Sequence, residues 1–114
     1  MREGERAVAI SREWAAKADN DLTTAGHMLR LGKSCPTDIV CFHAQQCVEK
    51  YLKAPLTSQE QATLTAYATA ARYPGWEDIR LAAARRAVAV ARRVRRETRR
   101  WLSKRRQRPK RGHA

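Results

Sequence analysis

The apolar residues of this chain recur at a spacing near 3.6 along its length, and no stretch alternates between apolar and polar residues as a strand would. A chain of 114 residues is long enough for one domain with a single modest core. Glycine and proline divide the periodic pattern into four segments. The sequence therefore predicts an all-α fold, an up-and-down bundle of about four helices with a long basic C-terminal helix.

The ends of the helices are predicted from the turn residues. Gly32 stands where a C′ glycine ends the first helix. Pro55 stops the second helix, because the residue before a proline leaves the helical region. Ser58 and Gln61 have the spacing of a capping box and begin the third. The first helix is predicted to span about Ile10 to Leu31, and the second to run from Thr37 or Asp38 to Ala54. The third is predicted to run from Ser58 to the break at Pro74-Gly75. The fourth is predicted to begin between Gly75 and Arg80 and to end at about Lys104.

Each predicted helix has an apolar side that we expect to face the core. On the first helix Asp19 and Asp21 fall outside that stripe. Trp14 is expected in the core, whereas Trp101 is a candidate for base stacking, for a dimer contact or for simple packing. The predicted core-facing residues are Trp14, Ala18, Leu22, Ala25 and Leu29; Val40, Ala44, Cys47, Val48, Tyr51 and Leu52; Leu64, Tyr67, Ala68 and Ala71; and Leu81, Ala84, Val88, Ala91, Val94, Trp101 and Leu102.

Charge is distributed unevenly. The formal net charge is +13, but residues 80–111 hold 15 of the 24 Lys and Arg residues and one acid, Glu97, so the rest of the chain is nearly neutral. A cationic segment of this kind binds phosphate polymers without reading their sequence. Contact with RNA or an acidic partner, a solvated basic face, and association with a membrane surface are the alternatives. Residues 1–104 are expected to form the domain and residues 105–114 a basic disordered tail.

The three cysteines recur every six residues, at Cys35, Cys41 and Cys47. Six residues on a helix turn through about 240°, so these thiols do not converge on one metal. Reduced, partly buried thiols are expected, with neither a metal site nor a cofactor. No segment has the length and apolar character of a membrane span or signal peptide, so we expect a cytoplasmic protein with no membrane partner.

Three segments resemble a known family. Residues 41–54, CFHAQQCVEKYLKA, are close to the "FHAQQAAEKxLKA" signature of HEPN domains (higher eukaryotes and prokaryotes nucleotide-binding). The AYATAARYPG sequence at 66–75 is similar to the family's "YAVxARYPG" segment, and the pattern from Trp14 to Leu29 resembles its opening helix. The resemblance covers residues from about 10 to 102. Between Pro55 and Thr65 the chain is shorter than usual for the family.

The resemblance implies an RNA- or nucleotide-binding module, expected to be a homodimer and the partner of a minimal nucleotidyltransferase in a toxin–antitoxin pair. Alternatives are a metal-independent RNase toxin, or a shortened remnant acting only in protein assembly. RNases of the family use an Arg-x4-6-His motif. Here that spacing occurs only from Arg106 and Arg108 to His113, in a segment broken by Pro109 and Gly112, so no catalytic residue is predicted.

The expected binding residues belong to three groups. His43, Gln46 and Lys50 share one face of the second helix, where they either line a cleft or are satisfied by neighbouring helices. Arg72 and Tyr73 belong to the family-like segment before Pro74, although packing and helix capping explain them equally. His27 is placed near the exposed side of the first helix. The full predicted set for nucleotide or RNA binding is His43, Gln46, Lys50, Arg72, Tyr73, Arg92, Arg93, Arg96, Arg99 and Arg100.

Overall fold

A computed structural model describes residues 2–71 and 79–106 of the chain. Within these ranges the helices are α1 Glu3–Leu29, α2 Thr37–Tyr51, α3 Ser58–Ala71 and α4 Leu81–Arg106, with a 3-10 turn at Gly32–Ser34 between α1 and α2. These ranges contain no strand. The predicted all-α bundle with a long basic last helix is confirmed.

The core lies where α1, α2 and α4 pack against one another, while α3 makes a smaller contact with α2 and α4. Most of the buried positions are small, and the largest fully buried side chains include Tyr51, Leu64 and Val40. Small residues let helix backbones approach closely but remove little apolar area from water. The fold therefore has a narrow core. Polar contacts between helices contribute more to fixing the helix arrangement than they would around a core of larger side chains.

Trp14 was predicted to be a core residue, and this prediction is wrong. Its side chain is only partly buried, and the ammonium groups of Lys17 and Lys53 lie 5.1 and 4.3 Å from the ring centroid. Ala15 and Ala18 are fully buried on α1 instead. The indole is too bulky for the close helix contact and lies at its edge, where cations contact the ring face.

The long first helix begins at Glu3, well before the predicted start at Ile10. Glu3 and Glu5 lie in its first turn, where carboxylates interact favourably with the positive end of the helix. At the other end Gly32 has a φ of 59°, the left-handed conformation expected of a glycine after a helix.

The second helix ends at Tyr51 rather than at the predicted Ala54. After Tyr51 the chain forms a tighter turn, in which the Ala54 amide donates to the Tyr51 carbonyl at 2.9 Å. The Ala54 carbonyl in turn accepts a 2.7 Å hydrogen bond from the buried hydroxyl of Ser11 on α1. This contact fixes the end of α2 against α1 and satisfies a buried backbone oxygen.

The third helix is capped by Thr57, one residue before the predicted Ser58. The Thr57 hydroxyl accepts a hydrogen bond from the Glu60 amide at 3.1 Å, and the Glu60 carboxylate accepts one from the Leu56 amide at 3.0 Å. The second carboxylate oxygen of Glu60 pairs with Arg105 at 2.8 Å. Glu60 therefore joins the start of α3 to the end of α4.

All three cysteines are buried and free, where the sequence predicted reduced, partly buried thiols. Burial raises the pKa of the Cys47 thiol to about 12, with the nearby Asp21 and Asp19 adding to the shift. Burial likewise raises the pKa of Cys41. Since the thiolate is the reactive form, burial makes Cys41 and Cys47 less reactive at neutral pH than exposed thiols.

The Arg72, Tyr73 and Trp76 positions lie outside the described residues, as does most of the predicted tail. The helix before that tail continues to Arg106, and the domain boundary at residue 104 stays a prediction. In the part of the chain that the structure describes, each helix is too short or too polar to cross a membrane.

Candidate functional site

A groove of about 530 Å³ lies between α1 and α4. Its α1 wall presents polar and cationic side chains at helical spacing, and its α4 wall presents arginines one turn apart. The lining residues are Asp19, Leu22, Thr23, Gly26, His27, Arg30, Arg92, Arg95 and Arg96. Its volume lies within the range of about 300–1,000 Å³ that is common for small-molecule sites.

The groove is strongly cationic. Among the described residues, no carboxylate lies within ion-pairing distance of Arg30, Arg92 or Arg96. Arg92 and Arg96 are exposed on α4, and Arg30 is exposed just after the end of α1. Guanidinium groups carry fixed forks of donors that match phosphate and carboxylate oxygens. This arrangement favours an anionic ligand.

The carboxylate in the groove wall, Asp19, is held by three donors. It accepts hydrogen bonds from the Tyr51 hydroxyl of α2 and from Arg99 of α4, and Arg95 Nε donates to it at 3.1 Å. Burial opposes its ionisation, but the hydrogen bonds from Tyr51 and Arg99 and the two arginine charges outweigh burial and lower the pKa of Asp19. Asp19 therefore links α1, α2 and α4 at one end of the groove.

A second carboxylate organises the family-like face of α2. Asp21 pairs with His43 Nδ1 at 3.0 Å and with Lys50 Nζ at 2.5 Å. All three side chains are partly buried, and His43 meets the Phe42 ring edge-on at a centroid distance of 5.5 Å. His43 and Lys50 are thus brought together, as their spacing predicted, but by an acid of α1 rather than around an open cleft.

The remaining predicted binding residues are dispersed. Gln46 is partly buried on α2, next to His43 and Lys50. Arg93 donates to the Tyr67 hydroxyl at 3.1 Å and lies over the Tyr67 ring. Arg100 pairs with Glu97 one turn away on α4. Of the predicted binding residues that the structure describes, only Arg92 and Arg96 line the groove.

Sequence reasoning missed the residues that build the site from α1. Asp19 and Asp21 fall off the apolar stripe and resemble solvated acids, and His27 and Arg30 resemble ordinary surface residues. One signal was available: Gly26 stands inside a helix, where glycine costs about 1 kcal/mol relative to alanine. Such a glycine often marks a close approach by another group, and here Arg92 Nη2 lies 3.6 Å from the position that a Cβ of residue 26 would take.

The family model described as HEPN domain matches residues 11–63 of the chain. No curated protein and no solved structure matches the chain. The matched region contains most of α1, all of α2 and the start of α3, including the Asp19 and Asp21 networks. The expected resemblance to the HEPN domain family is therefore confirmed over residues 11–63.

Proposed function

We propose that this protein is a HEPN-type module that binds RNA or nucleotides. The family match supports this class of function. The observation that carries the proposal is the concentration of exposed arginines on α4, which has a single acid in its whole length, Glu97. The exposed arginines of this helix are Arg85, Arg86, Arg92, Arg93, Arg95, Arg96 and Arg100.

In this proposal the sequence-predicted residues have different roles. Arg92, Arg96 and Arg100 are exposed and contact phosphates in this proposal. His43 and Lys50, tied to Asp21, hold α2 against α1 and contribute to binding mainly by keeping that face in place. Arg99 acts in the same way through Asp19.

The test is an electrophoretic mobility shift with single-stranded RNA over a range of salt concentrations. The double variant Arg92→Gln/Arg96→Gln is expected to weaken binding and to reduce the slope of log K against log salt by about 1.4, since each phosphate contact to a single strand contributes about 0.7. Loss of these arginines leaves the core intact because both are exposed.

The matched control is Arg2→Gln/Arg6→Gln, which removes the same charge from exposed positions at the start of α1. It is expected to change the slope much less. Equal effects of the two double variants would show that net charge alone governs RNA affinity. No affinity of the wild type for RNA at low salt would reject RNA binding and leave nucleotide binding or a role in protein assembly.

A nucleotidyltransferase partner and a homodimer complete the proposal. The family resemblance supports the partner, and a neighbouring open reading frame for a small nucleotidyltransferase would be its strongest support. Ile39 and Phe42 support the dimer, because these large apolar side chains are 41% and 53% exposed one turn apart on α2.

RNA cleavage is the second candidate function, and one observation favours it. His27 lines the same groove as Arg92, Arg95 and Arg96, so an imidazole and guanidinium groups meet there without an Arg-x4-6-His motif. The binding reactions contain no metal ion, and the RNA recovered from them is examined for cleavage. Cleavage that disappears in His27→Ala would establish an RNase, and intact RNA would reject one.

A further inference from the structure

The α1–α4 groove combines a high charge with a small volume. The lining contains one carboxylate, Asp19, and four arginines: Arg30, Arg92, Arg95 and Arg96. Its net charge is therefore +3 when His27 is counted as neutral. The space they surround is about 530 Å³. An extended RNA strand carries one charge per nucleotide and spreads its phosphates along the surface. A ligand that neutralises this groove must carry several negative charges within the volume of a small molecule.

The groove has open space beside Gly26, close to the arginines of α4. Gly26 lies on its α1 side, and only Arg92 Nη2 lies within 4 Å of the position of a Cβ there. Arg95 contributes from α4 while still bonded to Asp19, so its guanidinium has further donors available. Thr23 and His27 lie on the α1 wall one turn apart and supply a hydroxyl and an imidazole.

We propose that the α1–α4 groove is a site for a chain of adjacent phosphates, such as the triphosphate of a free nucleotide or of an RNA 5′ end. This inference rests on the proposed function and specifies its ligand. Guanidinium groups from both walls contact successive phosphate groups, and Thr23 and His27 donate to the same oxygens. RNA backbone contacts Arg92 and Arg96 more weakly than such a ligand does, together with the exposed arginines elsewhere on α4.

The first experiment is isothermal titration of the full chain with inorganic tripolyphosphate, which has the chemistry of the site and no base. One molecule is expected to bind per chain. Arg30→Gln/Arg92→Gln is expected to weaken binding by about tenfold or more, because it removes charge-assisted hydrogen bonds from both walls of the groove. The matched control is Arg2→Gln/Arg6→Gln, at exposed positions outside the groove lining, and it is expected to change affinity by less than about twofold.

A second variant, Gly26→Leu, fills the groove without changing any charge. It is compatible with the helix, since leucine is a better helix former than glycine. Tripolyphosphate binding is expected to fall by about tenfold or more, as for the arginine pair. Circular dichroism establishes that α1 is intact, and unchanged tripolyphosphate affinity in a folded Gly26→Leu protein would overturn the inference.

Competition distinguishes the two sources of the ligand. ATP and a 5′-triphosphorylated RNA are each tested for displacement of tripolyphosphate, with AMP and a 5′-hydroxyl RNA of the same sequence as controls. Displacement by either triphosphate and not by its control supports the site and names its source. If the protein binds RNA but shows no saturable tripolyphosphate binding, this site is rejected and the proposed function stands. If the protein binds neither RNA nor tripolyphosphate, both the site and the proposed function are rejected.

Discussion

At the scale of single residues, two carboxylates of α1 hold the bundle together. Asp19 joins α1 to Tyr51 and to two arginines of α4, and Asp21 joins it to His43 and Lys50. A core made largely of small residues leaves helices free to slide, since small side chains interlock weakly. Polar networks with defined partners are one way to fix their register.

Replacement of Asp19 by asparagine tests this role through pH. The wild-type pKa of Asp19 lies below its ordinary 3.8, so the unfolded chain binds a proton more tightly than the folded one. The stabilisation from Asp19 is thus complete above about pH 5 and is lost as the pH falls below 3.8 towards the folded-state value. We expect Asp19→Asn to lose about 1.5–3 kcal/mol at pH 7 and to show a flatter decline in acid.

Urea denaturation at pH 7, 5 and 3.5 measures this difference. Glu13→Gln, at an exposed position of the same helix, is the control and should follow the wild type at each pH. Parallel acid curves for the wild type and Asp19→Asn would mean that Asp19 does not hold a shifted pKa.

At the scale of elements, α3 depends on its first turn more than the other helices do. Its packing against α2 and α4 is limited, and Leu64 is its one fully buried side chain among residues 58–69. The Thr57 cap and the contacts of Glu60 therefore contribute a large share of its attachment. The capping-box spacing predicted Ser58 as the cap, and this prediction is wrong, because the Glu60 amide donates to the Thr57 hydroxyl.

Alanine at each position separates the two candidates. We expect Thr57→Ala to lower the free energy of unfolding by about 1 kcal/mol, the usual value of an N-cap side chain. Ser58→Ala removes a hydroxyl at the first helical position and should change stability by less than about 0.5 kcal/mol. Thermal melts followed at 222 nm measure both variants, and a larger loss for Ser58→Ala would contradict the cap at Thr57.

At the scale of the whole molecule, the apolar and cationic surfaces lie on different helices. Ile39 and Phe42 are exposed on α2, whereas the exposed arginines lie along α4. Pairing of two chains through α2 would cover the apolar residues and leave both α4 helices free for phosphates. A pairing through α4 would instead oppose like charges.

Light scattering after gel filtration tests the assembly. We expect a dimer at micromolar concentration in the wild type and a shift towards monomer in Phe42→Asn, since a polar side chain removes the apolar contact. Leu31→Asn, at another exposed apolar position outside α2, is the control and should stay dimeric. A monomeric wild type would reject the proposed homodimer.

The helical class, the number of helices and most of the core-facing positions were determined by the sequence, because a spacing of 3.6 and turn residues act locally. Val40, Ala44 and Val48, for example, are buried as their periodicity predicts. Tertiary structure alone decided which polar residues meet. Asp21 reaches His43 across 22 positions, and Asp19 reaches Arg99 across 80. Such pairs depend on how the helices are rotated against each other, and no short-range pattern records that rotation.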